Sequence, residues 1–187
     1  NKFPRSAYVH IPFCHRRCFY CDFAVIPLGN KVETLQGYGS KTVKEYLHFL
    51  YKEILSIKHK SSLSTIYVGG GTPSILDPQQ IKQLIDLFKE NYGVDYGAEI
   101  TMEVDPASFN QDDLYGFINA GINRFSLGVQ SFNNQILQKS GRRHLRKDAE
   151  KSCKWLKREY DSGLIKSWSL DLIQNLPLSG FKEWQDD

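Results

Sequence analysis

The sequence predicts an α/β protein in which parallel strands alternate with helices. Strand-like apolar runs and amphipathic helical patterns follow one another along the 187 residues, and this alternation is typical of βαβ units. No two strands are separated by the two-residue turn of an antiparallel hairpin. With 41% hydrophobic and 24% charged residues, the composition suits one globular domain, which we expect to span residues 1–187. These patterns leave open whether the sheet curves towards a barrel or is doubly wound.

Five short apolar runs carry the strand pattern. Turn-forming or helical segments separate them, so each run is an independent strand candidate. The predicted strands are Ser6–Ile11, 65–69, 99–105, Arg124–Gln130 and 168–173.

Helical patterns fill the intervals between the strands. Apolar residues recur at steps of three and four in each of them, which predicts one buried face per helix. Asp77 followed by Pro78 is typical of a helix start, and Gly121 of a helix end. In the fourth helix the predicted inner face is Ala149, Cys153, Leu156 and Tyr160, with Cys153 as a half-buried, inert thiol. The predicted helices are 42–58, Pro78–Asn91, Gln111–Ala120 and 147–160.

The remaining segments give weaker signals. Residues 25–40 are Gly-containing and weakly patterned, so we expect a long loop there. Residues 181–187 resemble the start of a further helix, and the chain begins at Asn1 instead of Met. We therefore expect a fragment that is truncated at both ends.

Composition narrows the classes of partner. The net charge is only +3, which gives no reason to expect a nucleic-acid partner. No run approaches the roughly 18 apolar residues of a membrane-spanning helix, and the N-terminus does not resemble a secretory signal. Three of the four cysteines are too tightly clustered for a disulfide framework, which favours a reducing compartment, either cytoplasmic or organellar (plastid or mitochondrial).

The cluster of cysteines is the strongest chemical signal in the chain. Cys14, Cys18 and Cys21 have the spacing C-x3-C-x2-C directly after the first predicted strand. Three thiolates on one loop can hold an iron–sulfur cluster and leave one iron without a protein ligand. The alternative is a zinc site with His10 or His15 as the fourth ligand.

Polar residues stand at the end of each predicted strand, where ligands gather in parallel α/β proteins. The glycines at 69–71 either form an ordinary turn or let a ligand approach the backbone closely. Asp105 precedes Pro106, which favours a structural turn. Asp171 lies in a run that we expect to be buried on both faces, so its carboxylate needs a partner, for which Arg142 is one candidate. Together with Glu103 and Gln130, these strand ends predict one shared pocket.

The motifs taken together resemble one known family. Residues 8–14 (YVHIPFC) lead into the cysteine motif, and GGGTP at 69–73, EVDP at 103–106, RFSLGVQ at 124–130 and DLI at 171–173 follow in order. This combination resembles the radical S-adenosylmethionine (SAM) proteins. More narrowly, it is similar to the group of oxygen-independent coproporphyrinogen III oxidase-like proteins, which includes a haem chaperone branch.

The resemblance implies a fold, two cofactors and their ligands. It implies a partial (β/α)6 TIM-like barrel with outer helices, truncated at its C-terminal end. It implies a [4Fe–4S] cluster on the three cysteines, with SAM bound to the fourth iron and cleaved reductively to a 5′-deoxyadenosyl radical. The implied SAM ligands are Tyr8, Gly70, Gly71, Thr72, Gln130, Arg142 and Asp171, and Tyr20 and Glu103 match positions that contact a second SAM in the oxidase branch.

One residue departs from the oxidase branch. The resemblance places a further cysteine two residues after Cys21, where this chain has Phe23. The first hypothesis is therefore a haem chaperone that binds SAM and the cluster, and the second is a coproporphyrinogen oxidase that makes protoporphyrinogen IX. A zinc-stapled structural module is the third. Either of the first two implies haem or a porphyrinogen as a partner, together with an electron donor.

Overall fold

The computed structural model describes residues 3–29, 38–57 and 61–187. Its strands are β1 (Ser6–Ile11), β2 (Phe13–Cys14), β3 (Ile26–Pro27), β4 (Leu63–Gly70), β5 (Val94–Val104), β6 (Arg124–Gln130) and β7 (Ser167–Leu172). Its helices are α1 (Tyr38–Ser56), α2 (Pro78–Asn91), α3 (Gln111–Ala120), α4 (Asn134–Lys139), α5 (Arg146–Asp161) and α6 (Phe181–Asp186). A 3-10 turn at Pro73–Ile75 follows β4.

The order of the strands resolves the choice of architecture. The main sheet has the order β1-β4-β5-β6-β7, and every neighbouring pair is parallel. A doubly wound sheet reverses its strand order at a switch point, and this sheet does not. Because crossovers between parallel strands are right-handed, an unreversed order places the helices on one side. The fold is therefore a partial (β/α) barrel, as expected.

The two faces of the sheet differ sharply. Val9, Ile66, Met102, Phe125 and Leu127 are at most 2% exposed and share one core with the helices. Side chains alternate across a strand, so the intervening residues point away from the helices. In strands β4 to β7 these are mainly polar: Tyr67, Thr101, Glu103, Arg124, Ser126 and Ser169. Closed barrels fill their interior with branched apolar side chains; this interior is instead built to contact a polar ligand or water.

Local signals explain the helix starts. Asp77 accepts from the Gln79 backbone N–H at 2.7 Å and caps α2. Asn110 accepts from Asp112 and Asp113 and caps α3. At the end of α3, Gly121 has a left-handed backbone with φ 109°, the conformation that glycine adopts most readily. Helices α2 and α3 have the predicted bounds, as do β1 and β6, and α6 confirms the helix expected near 181.

Three local expectations need correction. Tyr160 is 50% exposed, and Glu159 occupies the inner face of α5 at 2% exposure, held by the Tyr115 hydroxyl at 3.2 Å and by Arg158. Strand β7 is the edge of the sheet, so the run around Asp171 is not buried on both faces. Helix α4 was not expected, since its six residues are too short to show a helical period. Cys153 is partly buried, as predicted.

Two predicted segments overlap the residues outside the described ranges. The loop expected at 25–40 contains β3 and, at its end, the first turn of α1, whereas residues 30–37 lie outside the described residues. Lys58, the last residue of the first predicted helix, lies outside them too. None of the described helices combines the length and apolarity needed to cross a bilayer. The compartment remains a prediction.

Candidate functional site

The carboxyl ends of the strands surround a cavity of about 300 Å³. Every site residue predicted from the sequence lines this cavity, with the exception of Tyr8. The lining includes Cys14, Cys18, Cys21, Tyr20, Gly70, Gly71, Thr72, Glu103, Gln130, Arg142 and Asp171. The shared pocket predicted from the strand ends is therefore present.

Tyr8 lies beside the cavity. It is 61% exposed, its ring stacks on Tyr67 with a centroid separation of 6.0 Å, and its hydroxyl is 3.2 Å from His10 Nδ1. Tyr67, which separates Tyr8 from the cavity, donates a hydrogen bond to the lining residue Glu103. The contact of Tyr8 with a ligand therefore stays a prediction.

The glycine turn is pressed against the cysteine loop. The backbone N–H groups of Gly71 and Thr72 donate to Ile11 and Phe13 at 2.8 Å each. A Cβ on Gly71 would lie 2.6 Å from the Phe13 carbonyl oxygen and 2.9 Å from Cys14 Sγ. A Cβ on Gly70, whose φ is 117°, would lie 2.7 Å from His10 Nδ1. Both positions thus exclude a side chain, because Phe13 and Cys14 occupy the space at Gly71 and His10, near the end of β1, occupies it at Gly70.

Cys14 is the most buried of the three clustered thiols. Burial raises the pKa of the Cys14 thiol, and the neighbouring Cys21 and Cys18 add to this effect. The Thr72 hydroxyl donates to Cys14 Sγ at 3.5 Å and works in the opposite direction, since it stabilises the thiolate. A cation held by the cysteines would favour the thiolate much more strongly.

Arg142 joins the cysteine loop to the strand ends. One side of its guanidinium donates to the Asp105 carboxylate and to the Gly128 carbonyl oxygen at the ends of β5 and β6. The other side lies 3.8 Å from Cys18 Sγ and 3.5 Å from the Tyr20 hydroxyl. Its Nε is buried and has no hydrogen-bond partner among the described residues.

The sequence suggested that Arg142 is the partner of Asp171, but in the structure Arg142 forms its ion pair with Asp105. The segment after α4 packs on the cysteine loop, with the Phe19 N–H donating to Ser140 at 3.0 Å, and this packing holds Arg142 over Asp105. Asp171 lies on the edge strand, is exposed, and accepts from the Ser126 hydroxyl at 2.9 Å. Asp105 also has the predicted turn role, since it accepts from the Ala107 N–H at 2.9 Å.

His144 is a further hydrogen-bond partner of Arg142. Arginine can only donate, so His144 Nδ1, at 3.3 Å from Arg142, is the acceptor, and Nε2–H donates to the Val129 carbonyl at 3.0 Å. Burial lowers the pKa of His144 to about 4; the Asp105 charge opposes this shift, and Arg142 reinforces it. The imidazole is therefore neutral at physiological pH.

Two carboxylates on the inner face of the sheet line the cavity, and we call this side of it the floor. Glu103 accepts from the Tyr67 hydroxyl at 2.8 Å and from the Gly70 N–H at 3.0 Å, and Asp171 accepts from Ser126. Burial, together with the nearby Glu103, raises the pKa of Tyr67, so its hydroxyl remains a donor. In the described part of the chain neither floor carboxylate has a cationic side chain as an ion-pair partner. The floor is therefore complementary to a cation, an amino group or hydroxyl groups.

Gln130 enters the cavity through an unusual backbone. Its φ is 70°, a left-handed conformation that non-glycine residues rarely adopt outside functional sites. The pairing of β6 with β7 shifts register between Gly128 and Gln130. The chain is thus bent out of the sheet at the residue that the sequence marked as a site residue.

Some lining residues were not predicted. Ser126, Arg16, Arg17 and Arg143 line the cavity, and His144 and Asp105 hold Arg142. Ser126 has a signal in the sequence, because it belongs to the period-two set of β6 that ends at Gln130. The contact between Asp105 and Arg142 has none, since it joins residues that are distant in the chain.

The donor set fits an iron–sulfur cluster better than a closed zinc site. His10 has both ring nitrogens engaged, since Nε2 is 3.0 Å from the Ala24 carbonyl and Nδ1 is 3.2 Å from the Tyr8 hydroxyl, and His15 Nδ1 is 3.3 Å from the Gly29 carbonyl. Among the described residues no three His, Cys, Asp or Glu side chains gather round one metal ion. A cluster spreads its thiolate ligands over several irons. Three cysteines lining one cavity, with a glycine turn fitted against Cys14, suit such a group.

The protonation state of His144 gives a pH dependence that can be measured. Its pKa is about 4 in the folded chain and 6.5 as the unperturbed reference, so the unfolded state takes up the proton first as the pH falls. We expect the contribution of His144 to stability to be complete above about pH 6.5 and to fall by about 3 kcal/mol towards pH 4. Urea unfolding of wild type and His144→Gln at several pH values isolates this term. Parallel pH curves for the two proteins would contradict it.

Comparison with known proteins places this geometry in a family. The family model described as Radical SAM superfamily matches residues 8–167. A heme chaperone HemW from Synechocystis is 41% identical over 182 residues, which cover 97% of this chain and 42% of that protein. The Escherichia coli heme chaperone HemW is 34% identical over 181 residues, which cover 96% of this chain and 45% of that protein.

An oxidase is also similar. An oxygen-independent coproporphyrinogen III oxidase from Salmonella typhimurium is 37% identical over 93% of this chain and 36% of its own length. The solved structure of the coproporphyrinogen III oxidase HemN from Escherichia coli, described as a radical SAM enzyme, superposes with a TM-score of 0.80 at 32% identity. The superposition covers 97% of this chain and 39% of the HemN chain.

This chain spans less than half the length of each of these relatives. The family match nevertheless covers most of the chain, including all three clustered cysteines, the glycine turn and Arg142. The chain therefore belongs to the radical SAM superfamily, whose members are defined by a [4Fe–4S] cluster and SAM.

Proposed function

We propose that this chain is the core domain of a haem-trafficking protein that binds a [4Fe–4S] cluster and SAM. The observation that carries the proposal is the single cavity that brings together the three cysteines, the glycine turn and the two floor carboxylates. Cys14, Cys18 and Cys21 would hold the cluster, and the fourth iron would be left for SAM. An electron donor is then a required partner.

The cavity residues have distinct tasks towards SAM. The absence of a side chain at Gly71 lets the turn pack against Cys14, and its absence at Gly70 lets the turn pack against β1. Asp171 and Glu103 offer carboxylate oxygens to amino or hydroxyl groups, while Thr72, Gln130 and Tyr20 add polar atoms around them. When bound, the cluster and SAM supply the one-electron chemistry that protein side chains lack.

Phe23 favours haem trafficking over coproporphyrinogen oxidation. It lines the cavity two residues after Cys21 and is 61% exposed, so it presents an apolar ring where the oxidase branch is expected to carry a thiol. A phenyl ring can neither transfer a proton nor bind a metal. Heme chaperones occur among the relatives at 32–41% identity. The oxidase at 37% identity keeps coproporphyrinogen oxidation as the alternative.

The assay that separates these functions uses the full-length protein, reconstituted anaerobically with iron and sulfide. We expect haem to bind, with a change in its absorbance spectrum, and we expect no vinyl product from coproporphyrinogen III, SAM and reductant. Phe23→Ala is the matched variant, and it should weaken haem binding if the ring contacts the ligand. Robust conversion of coproporphyrinogen by wild type would overturn the proposal in favour of the oxidase.

The cluster ligands can be tested separately. Cys18→Ala should lose the brown absorbance and most of the iron and sulfide of the reconstituted protein, because two thiolates hold the cluster poorly. Cys153→Ala is the matched control, since Cys153 lies on α5 and does not line the cavity. Iron and sulfide are counted per chain. A full cluster in Cys18→Ala would show that the ligand assignment is wrong.

The glycine turn gives an independent test of the site. In Gly71→Ala the added methyl must displace the Phe13 carbonyl or Cys14 Sγ, so we expect at least a tenfold loss of affinity for SAM and a reduced iron content. Gly163→Ala is the control, because it adds a methyl in open space at a φ of 77° and carries only the backbone cost of about 1–2 kcal/mol. Calorimetric titration with SAM and iron analysis check both. Equal losses in the two variants would point to general destabilisation.

A further inference from the structure

Three arginines line the mouth of the cavity without a carboxylate partner. Arg16, Arg17 and Arg143 are exposed and belong to the lining, and none of them forms an ion pair with any described residue. Arg16 is held by a hydrogen bond from its guanidinium to the Arg142 carbonyl. Arg17 Nε donates to the Cys21 carbonyl at 3.0 Å. Two of the three guanidinium groups are therefore anchored by neutral acceptors, which leaves their charge uncompensated.

The charges of the cavity are segregated between two of its sides. The floor carries Glu103 and Asp171, which accept hydrogen bonds from neutral donors. The only ion pair between lining residues in the described part of the chain is Asp105 with Arg142. The side formed by the cysteine loop and the segment after α4 is therefore basic and the side formed by the strands is acidic, so an anion is attracted to the arginines and repelled by the carboxylates.

The same mouth presents an apolar surface. Phe23 is 61% exposed, and both Phe23 and Val25 line the cavity. An exposed aromatic ring beside guanidinium groups suits a flat, apolar ligand that carries carboxylates at its edge. Guanidinium is the side chain best matched to carboxylate, since it can donate two parallel hydrogen bonds.

We propose that Arg16, Arg17 and Arg143 form a carboxylate-binding rim, which holds the propionate groups of a tetrapyrrole while its macrocycle lies against Phe23. The proposal rests on the proposed function and adds the part of the site that selects the ligand. Haem and coproporphyrinogen share this chemistry, because both are macrocycles with ionised carboxylates. The rim therefore recognises tetrapyrroles that carry carboxylates, and residues elsewhere in the protein distinguish haem from coproporphyrinogen.

Two other roles for the arginines make different predictions. If they only compensate the negative charge of the cluster, their removal should lower the iron content and leave ligand selectivity unchanged. If they dock an acidic electron-carrier protein, their removal should slow reduction by that protein and leave tetrapyrrole binding intact. The position of all three in the lining of a cavity favours the small ligand.

The test compares carboxylates with their esters. Full-length reconstituted wild type, Arg17→Gln, Arg143→Gln and the double variant are titrated with haem and with haem dimethyl ester, and in a second arm with coproporphyrin III and its tetramethyl ester. We expect wild type to prefer the free acids at least tenfold, and each substitution to weaken acid binding about tenfold with little effect on ester binding. Lys147→Gln removes an exposed charge outside the cavity and should behave like wild type.

The outcomes separate this proposal from the proposed function. Wild type that binds neither tetrapyrrole would overturn both. If wild type binds the free acids and the esters equally, or if the variants lose affinity for both equally, the proposed carboxylate-binding rim is wrong. The proposed function would not be affected by either result. Iron content and circular dichroism of each variant identify a loss of cluster or fold; a loss of iron with unchanged selectivity would assign the arginines to the cluster. A preference confined to one arm tells whether haem or the porphyrinogen is the ligand.

Discussion

The Arg142 guanidinium is the contact through which the cysteine loop and the sheet become one site. It donates to Asp105 and Gly128 at the strand ends and reaches towards Cys18 and Tyr20 on the loop. A largely buried ion pair is costly to break from one side, by about 3–5 kcal/mol, because a charge is then left without compensation. Separating the cysteine loop from the sheet would therefore require this free energy. His144, neutral and buried, completes the acceptors of the guanidinium.

This arrangement explains why the inner face of the sheet is polar. A partial barrel whose interior were packed with branched side chains would leave no room at the strand ends. Here Tyr67, Glu103, Ser126 and Asp171 satisfy one another through hydrogen bonds along the inner face, so the polar groups are not left unpaired. The outer face carries the hydrophobic stabilisation instead, through strand residues that are almost wholly buried against the helices.

Local patterns were enough to predict most of the elements, and the cysteine and glycine motifs identified most of the site. The exceptions have physical reasons. Strand β5 begins at Val94, five residues before the predicted start, since the fully exposed Tyr96 and the left-handed Gly97 interrupt its apolar pattern. Glu159 was not among the predicted inner-face residues of the fourth helix, because charged residues are rarely buried unless paired. The Asp105–Arg142 contact depends on how α4 and its following turn pack on the cysteine loop, and no local pattern encodes that packing.

The position of the Asp105–Arg142 pair also has an electrostatic consequence. Asp105 lies two residues after Glu103 and close enough to Cys14 to raise the pKa of that thiol. Without a cation at this point, the Asp105 carboxylate would act undiminished on the thiolates, and like charges oppose ionisation. Arg142 stands between them, with one edge on Asp105 and the other near Cys18. The ion pair thus offsets the charge of Asp105 beside the cysteine loop and lowers the electrostatic cost of keeping ionised thiols in a cavity that is also lined by carboxylates.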